Sequence, residues 1–293
     1  MNAPLDSLPT ARRPKLSSLP MLPAMTVEIL RLVEDPASTI DDLNRVISRD
    51  PSLSCRLLKV VNSSFYGLSR QVASVSRAIS ILGLQATRNL AIVASMVKIF
   101  EVGGHSELHR TLVENLWRHA TATAAAAKLV ADTLRFGRAD ELFLAGLIHD
   151  VGIIGELHSD RTRFLDAVKM CGPDADGNPQ RNLMDAEVEL FGDEHSSFGG
   201  MLCEEWRFPN SLCEIVGNHH RPLDVCSSNR GSTCLIAIAD IMAAGLPAGF
   251  RLDYLALDCP DTLLEEVRLD RKDYDEIRER LVREVDEITA VFS

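Results

Sequence analysis

The doublet His149-Asp150 interrupts Leu142-Phe143-Leu144-Ala145-Gly146-Leu147-Ile148 and Val151-Gly152-Ile153-Ile154, a stretch otherwise almost wholly apolar. Asp240 is likewise the only charge in Cys234-Leu235-Ile236-Ala237-Ile238-Ala239-Asp240-Ile241-Met242-Ala243-Ala244. With His119, His195 and the pair His219-His220, the set takes five of the eight histidines. Burying even a neutral polar group without a partner costs about 2–7 kcal/mol, and an ionised carboxylate costs more. These side chains therefore need partners. Either imidazoles and carboxylates together ligate a divalent cation, or they hydrogen-bond one another at the centre of a helical core. His105, His109 and His158 fall outside the set and are expected on the surface.

The elements that must position these groups read as helices throughout. Residues 1–15 mix Pro, Ser, Asn and Arg without periodicity and read as a flexible lead. Val27, Leu30 and Val33 mark a first helix, stopped by Asp35-Pro36. Ser38 or Thr39 can cap a second, with Asp41 and Asp42 in its first turn. Asp50-Pro51 opens a third that carries Leu53, Leu57, Leu58 and Val61 and ends in the loop Asn62-Ser63-Ser64-Phe65-Tyr66-Gly67. A short helix over Ser74–Leu82 and a longer one over Gln85–Phe100 complete five. Beyond them come an Ala-rich helix with Trp117 and His119, the doublet helix, and a polar segment from Ser159 to Asp185. Ala186 to Trp206 and Pro209 to Asn218 carry the later histidines. A last helix from about Arg271 has Tyr274, Ile277, Leu281, Val285, Ile288 and Phe292 at 3–4 spacing. No alternating strand pattern competes, so the expected fold is all-α in two lobes divided near residues 101–110.

Composition narrows the function classes. A net charge of −11 leaves no basic field to replace phosphate counterions, which argues against nucleic-acid binding; Arg12-Arg13-Pro14-Lys15 is too short to change that. The seven cysteines form no CxxC pair and suit a reduced, intracellular chain, with Cys203 and Cys213 near enough to the later histidines to be weighed as thiolate ligands. No apolar signal core and no run of about 18 apolar residues is evident, so a cytoplasmic protein without a membrane partner is expected.

Leu147-Ile148-His149-Asp150-Val151-Gly152, with Leu116-Trp117-Arg118-His119 before it and Glu194-His195 and Asn218-His219-His220 after, resembles the HD superfamily of metal-dependent phosphohydrolases. The first half is more specific. Leu19-Pro20 with Leu22-Pro23, Asp50-Pro51-Ser52-Leu53 with Arg56-Leu57-Leu58, Val61-Asn62-Ser63 with Tyr66, and Arg77-Ala78-Ile79 with Leu82-Gly83 resemble the HDOD domain, the HD-related output domain of bacterial signalling proteins. The resemblance covers about residues 16–225 and implies a helical lobe over about 16–104 and an HD-like lobe from about 105. Residues 226–293 would complete that second lobe. Matched to the HD pattern, His119, His149, Asp150 and Asp240 would hold a first metal. Asp150 would bridge to a second held by His195, His219 and His220. Neighbours on one helix diverge by about 100°, so His149 and Asp150 could face a metal pair from a single helix, whereas one of His219 and His220 would point away if that segment were regular helix. The ligand types favour one or two Fe or Mn ions over structural Zn.

The resemblance also implies a regulator acting through protein contact, because most HDOD members are regarded as having lost hydrolase chemistry. Partners would be signalling proteins of cyclic-dinucleotide or two-component pathways; the oligomeric state is left open. Ile153 stands where the related cyclic-dinucleotide phosphodiesterases carry a lysine after His-Asp-x-Gly, and Arg221-Pro222-Leu223-Asp224 replaces their Gly-Tyr-Pro signature. Losing a cation that meets substrate phosphate removes transition-state stabilisation. Arg221 could stand in for the lysine or be a surface charge. Hydrolysis of a nucleotide or cyclic dinucleotide is the alternative. Asn62, Phe65 and Tyr66 are the candidate partner-contact groups of the first lobe.

Overall fold

Side-chain caps start three of the first five helices where the sequence places them. In the computed structural model, which describes residues 21–35, 37–63, 66–100, 107–175, 177–247 and 249–292, helix α1 (Ala24–Glu34) is followed by α2 (Ile40–Ser48). Thr39, rather than Ser38, caps α2 through a reciprocal pairing with Asp42. Asp50 accepts from Leu53 N to cap α3 (Pro51–Val61), with Pro51 in the first turn, where its missing N–H is harmless. Ser74 caps α4 (Val75–Leu82), and α5 (Leu84–Phe100) completes the first lobe. Leu43, Ile47, Leu53, Leu57 and Ile79 are fully buried between these helices. On α5 every side chain from Leu90 to Met96 is buried, as expected of a helix covered on all sides. The 1–15 lead, Leu19-Pro20, Ser64-Phe65 and residues 101–106, including His105 and the start of the expected lobe division, lie outside the described residues.

The second lobe is organised on α6 (Glu107–Thr133), against which α7 (Ala139–Ile148), α13 (Arg230–Ala244) and α15 (Arg271–Phe292) all pack. The run Ala124-Ala125-Ala126-Ala127 is fully buried because it offers a smooth wall for close helix approach. Opposite it, a Cβ on Gly146 would stand 2.8 Å from the Ala124 Cα. Only glycine permits that crossing, and the crossing brings His119 of α6 to the end of α7. Helices α8 (Val151–Ser159), α9 (Arg161–Cys171), α10 (Leu183–Phe191), α11 (His195–Glu205) and α12 (Asn210–Asn218) form the other side. A short 3-10 turn, Pro222–Asp224, and α14 (Asp261–Val267) close the order. Among the described residues there is no strand, and the fold is an all-α, two-lobe helical bundle.

Several local expectations change. Ser159–Asp185 is not simply a polar connection: α9 occupies its first half, with Phe164, Ala167 and Cys171 turned inward. The Ala186–Trp206 stretch is two helices, since the Gly192 cap ends α10 before His195 opens α11. Helix α15 lies on α6 of the second lobe and also reaches α3 of the first. The Ala139–Ser159 stretch is apolar and long enough to cross a membrane, yet 89% of its most apolar window is buried inside the fold. It is a core element with the His-Asp doublet at its middle. His109 is buried, contrary to the surface position expected, whereas His158 is exposed and reaches the Ile99 carbonyl.

Candidate metal centre

His149 and Asp150 do not share one helix. Helix α7 ends at Ile148, His149 is its cap, and Asp150 precedes α8. The junction turns both side chains inward, where a single continuous helix would have spread them. Helix α12 similarly ends at Asn218, so neither His219 nor His220 is bound to a helical face. Both rings reach the site, as the expected ligand set has it; only a regular helix would have turned one of them away.

All seven residues of the expected ligand set converge. His119, His149 and Asp240 form one group, and Asp150, His195, His219 and His220 form another; within each, one potential ligand atom per residue lies within 4.8 Å of the others. His119 Nε2 is 3.0 Å from Asp240 Oδ1, and His149 Nε2 is 3.5 Å from the same oxygen. Asp150 stands between the groups. Its Oδ2 is 3.2 Å from His149 Nε2 and 3.5 Å from His119 Nε2, while its Oδ1 is 3.4 Å from His195 Nε2 and 3.5 Å from His219 Nε2. Each oxygen serves a different side, the disposition a bridging carboxylate needs.

Backbone and carboxylate partners aim the rings. His149 Nδ1 meets the Gly146 carbonyl at 2.7 Å, and His219 Nδ1 meets the Val216 carbonyl at 2.7 Å. His195 Nδ1 is 2.8 Å from Glu187 Oε2, which also accepts from His195 N at 2.9 Å. With Nδ1 engaged as donor, each Nε2 is turned inward, where it would offer its lone pair to a bound metal, the arrangement that metal-binding histidines use. Tyr254 donates to Asp240 Oδ2 at 2.6 Å and fixes the remaining carboxylate.

Four residues around the set were not anticipated: Glu187, Tyr254, Glu156 and Asp253. Glu187 lies four residues after Leu183 and four before Phe191, on the apolar face of α10, so its burial was readable. Glu156 is the only charge among Val151–Leu157, the same signal that picked out Asp240. Asp253, buried 3.3 Å from His220 Nε2, had no comparable signal.

The electrostatics are those of a cation cage. Burial opposes ionisation of Asp150, but the surrounding histidines, His149 foremost, outweigh it and hold the carboxyl well below the usual range. Asp240 behaves alike for the same reason. Burial would lower the His149 pKa; Asp150 and Asp240 instead raise it well above the ordinary value. His219, buried and beside His220, is driven down to about 4. Both Asp150 oxygens, Asp240 Oδ1 and His219 Nε2 are buried without a hydrogen-bond partner. Orphaned acceptors on opposite sides of one carboxylate, faced by imidazole nitrogens, fit one or two divalent ions. Cys203 and Cys213 belong to neither group, and burial pushes the Cys213 thiol up to about 11.

The surroundings separate the other candidates. Ile153 is fully buried. Arg221 is a largely exposed side chain paired with Glu194. A cleft of about 290 Å³ opens beside His219 and His220, walled by Leu223, Ile241, Pro260 and Leu263. In the first lobe, the Asn62 amide is engaged by the Val72 backbone at 2.8 and 2.7 Å, and the Tyr66 ring lies under Lys128 Nζ at 5.5 Å. Phe65 lies outside the described residues.

Comparison with known proteins agrees with this architecture. The family model of the HDOD domain matches residues 19–222. A protein of Treponema pallidum with no described role is 26% identical over 212 residues, which is 70% of this chain and 38% of that protein. The chain thus spans well under half the length of this relative. An HDOD domain protein of unknown function from Geobacter sulfurreducens superposes with a TM-score of 0.74 at 25% identity, covering 94% of this chain and 92% of the other. A Marinobacter aquaeolei protein provisionally described as a signal transduction protein gives 0.72 at 23% identity, over 98% and 62% of the two chains. A Shewanella amazonensis protein provisionally described as a phosphohydrolase gives 0.68 at 23%, over 94% and 96%.

Proposed function

The chain belongs to the HDOD domain family, and from that premise we propose that it is a signal-transduction protein that works by protein contact, with a divalent-cation centre in its second lobe. The observation that carries the metal reading is the two-sided placement of Asp150 between the His119–His149 and His195–His219 pairs. His119, His149, Asp150 and Asp240 would hold one ion, and Asp150, His195, His219 and His220 a second, with Fe or Mn favoured by the imidazole–carboxylate set. Such ions, when bound, supply Lewis-acid polarisation of a ligand oxygen. The protein's own contribution is to orient the imidazoles through Glu187, Gly146 and Val216 and to keep them buried.

Regulation rather than turnover is favoured by what surrounds the cage. Ile153 gives no cation to a phosphate, Arg221 is engaged by Glu194, and the cleft walls are largely apolar. A protein partner would meet an acidic chain, net −11, so a basic partner face is the complementary choice. Asn62 and Tyr66 are engaged within the fold, which supports a structural part for them; Ile40 and Ile81, about half exposed on the packed helices α2 and α4, offer contact area on the same lobe. A location inside the cell goes with this reading.

Metal-dependent phosphohydrolysis is the second reading, favoured by the complete ligand set and the cleft at its edge. Metal analysis of protein purified without chelator, followed by a nucleotide and cyclic-dinucleotide phosphodiesterase screen with added Mn²⁺, separates the two. Bound metal with no turnover is the expected result. Robust hydrolysis by wild type, lost on replacing His149 and Asp150 together by Ala, would install the enzyme in place of the regulator.

A further inference from the structure

Asp253 has no place in a two-ion centre. It lies in the connection after α13, is 2% exposed, and neither of its side-chain oxygens has a hydrogen-bond partner. The backbone around it is pinned. Asn182 Nδ2 donates to the Asp253 carbonyl at 2.7 Å, and Leu183 N donates to the Leu252 carbonyl at 2.9 Å. The side chain is thereby directed at His220, whose Nε2 is 3.3 Å from Asp253 Oδ2. His220, Asp240 and Asp253 each present a potential ligand atom within 4.8 Å of the others. A buried carboxylate with two oxygens lacking hydrogen bonds calls for a proton or a cation, and among the described residues no lysine or arginine nitrogen is within ion-pair distance of it; only the His220 imidazole faces it.

We infer that His220, Asp240 and Asp253 form a third cation position, on the cleft side of the centre. The inference rests on the metal reading above, takes in a residue which that reading leaves idle, and moves His220 from the second ion to a third. One imidazole nitrogen serves one ion, so His220 joins Asp253 while Asp150, His195 and His219 retain the second ion. Asp150 then bridges the first and second positions, and Asp240 the first and third. His220 and Tyr254 line the cleft, whereas His119 and His149 do not. The third position therefore faces the cleft together with the second, whose His219 also lines it, while the first lies behind them. The Tyr254 hydrogen bond to Asp240 Oδ2 holds the shared carboxylate in place.

The test is metal stoichiometry. The full chain is stripped of metal, saturated with Mn²⁺, freed of excess by gel filtration and analysed by mass spectrometry for manganese per chain. Wild type is expected to retain three ions, and Asp253→Asn and His220→Asn two each, with circular dichroism unchanged. Equal stoichiometry in wild type and Asp253→Asn overturns the third position, as does saturation of wild type at two, which needs no variant and decides the matter if Asp253→Asn fails to fold. Wild type retaining no manganese overturns the metal reading itself, an outcome distinct from saturation at two.

Discussion

Gly152 packs so tightly on His195 that a Cβ added to it would stand 1.9 Å from the His195 carbonyl oxygen. That contact sets the distance between α8 and α11, and so the distance between Asp150 at the head of one helix and His195 at the head of the other. The obstacle is backbone, which a rotamer change does not relieve. Gly152→Ala is expected to destabilise the fold by at least about 1–3 kcal/mol, the usual cost of overpacking, and to weaken manganese binding as well. Urea denaturation with and without Mn²⁺ measures both. Wild-type stability in the variant would show that the two helices can separate freely.

Glu187 accepts from both the backbone and the ring of His195. Glu187→Gln keeps the shape and removes the charge that orients the imidazole. Manganese affinity is expected to fall by about 10–100-fold, the usual effect of removing such an outer partner, with little change in helical content. An unchanged titration curve would show that His195 is oriented by other contacts.

Tyr254→Phe deletes only the hydroxyl that donates to buried Asp240. A hydrogen bond to a charged group contributes about 1.5–3 kcal/mol, so metal-free protein should lose stability of that order. Thermal melts in chelator and in excess Mn²⁺ are the measurement. The loss should shrink when metal is present, because a cation satisfies the same carboxylate.

Glu156 is buried beside Glu187, and desolvation together with that neighbour raises its pKa well above the ordinary 4.5. The folded state therefore holds a proton that the unfolded state releases. The stability this group contributes is fully present below about pH 4.5 and is lost as pH rises through the raised folded value. Glu156→Gln, neutral at every pH and still able to donate to Glu187, should flatten that decline. Denaturation curves collected across pH 4–8 check it; parallel profiles for variant and wild type would mean that Glu156 is ionised in the fold.

Helix existence was legible because its causes are local. The cap offered by Ser38 or Thr39, the start at Asp50-Pro51, and the 3–4 spacing of Tyr274, Ile277, Leu281 and Val285 act over a few residues, and the helices they mark are there, with Thr39 as the cap. His149, Asp150 and Asp240 were legible for a related reason: a polar residue in an otherwise apolar stretch announces that something buried must meet it, whereas His119, His195, His219 and His220 were picked out by their likeness to the HD pattern. The α9 helix was missed because its inward residues, Phe164, Ala167 and Cys171, are outnumbered by charges on its open face. His109 was misplaced because nothing around it in sequence marks its side of α6 as buried.

The sequence by itself therefore determined an all-helical chain and the residues that need a buried partner, since capping, periodicity and desolvation are properties of short stretches. Tertiary structure alone decided how those residues meet. Two breaks in the helices, after Ile148 and after Asn218, turn adjacent side chains to one centre where continuous helices would have divided them. The glycine contacts at Gly146 and Gly152 then bring the helices close enough for Asp150 to face histidines on both sides. The connection after α13 supplies Asp253 and Tyr254 from residues whose local sequence carries no mark of burial. Such placements depend on backbone approach between segments far apart in the chain, which no local pattern encodes.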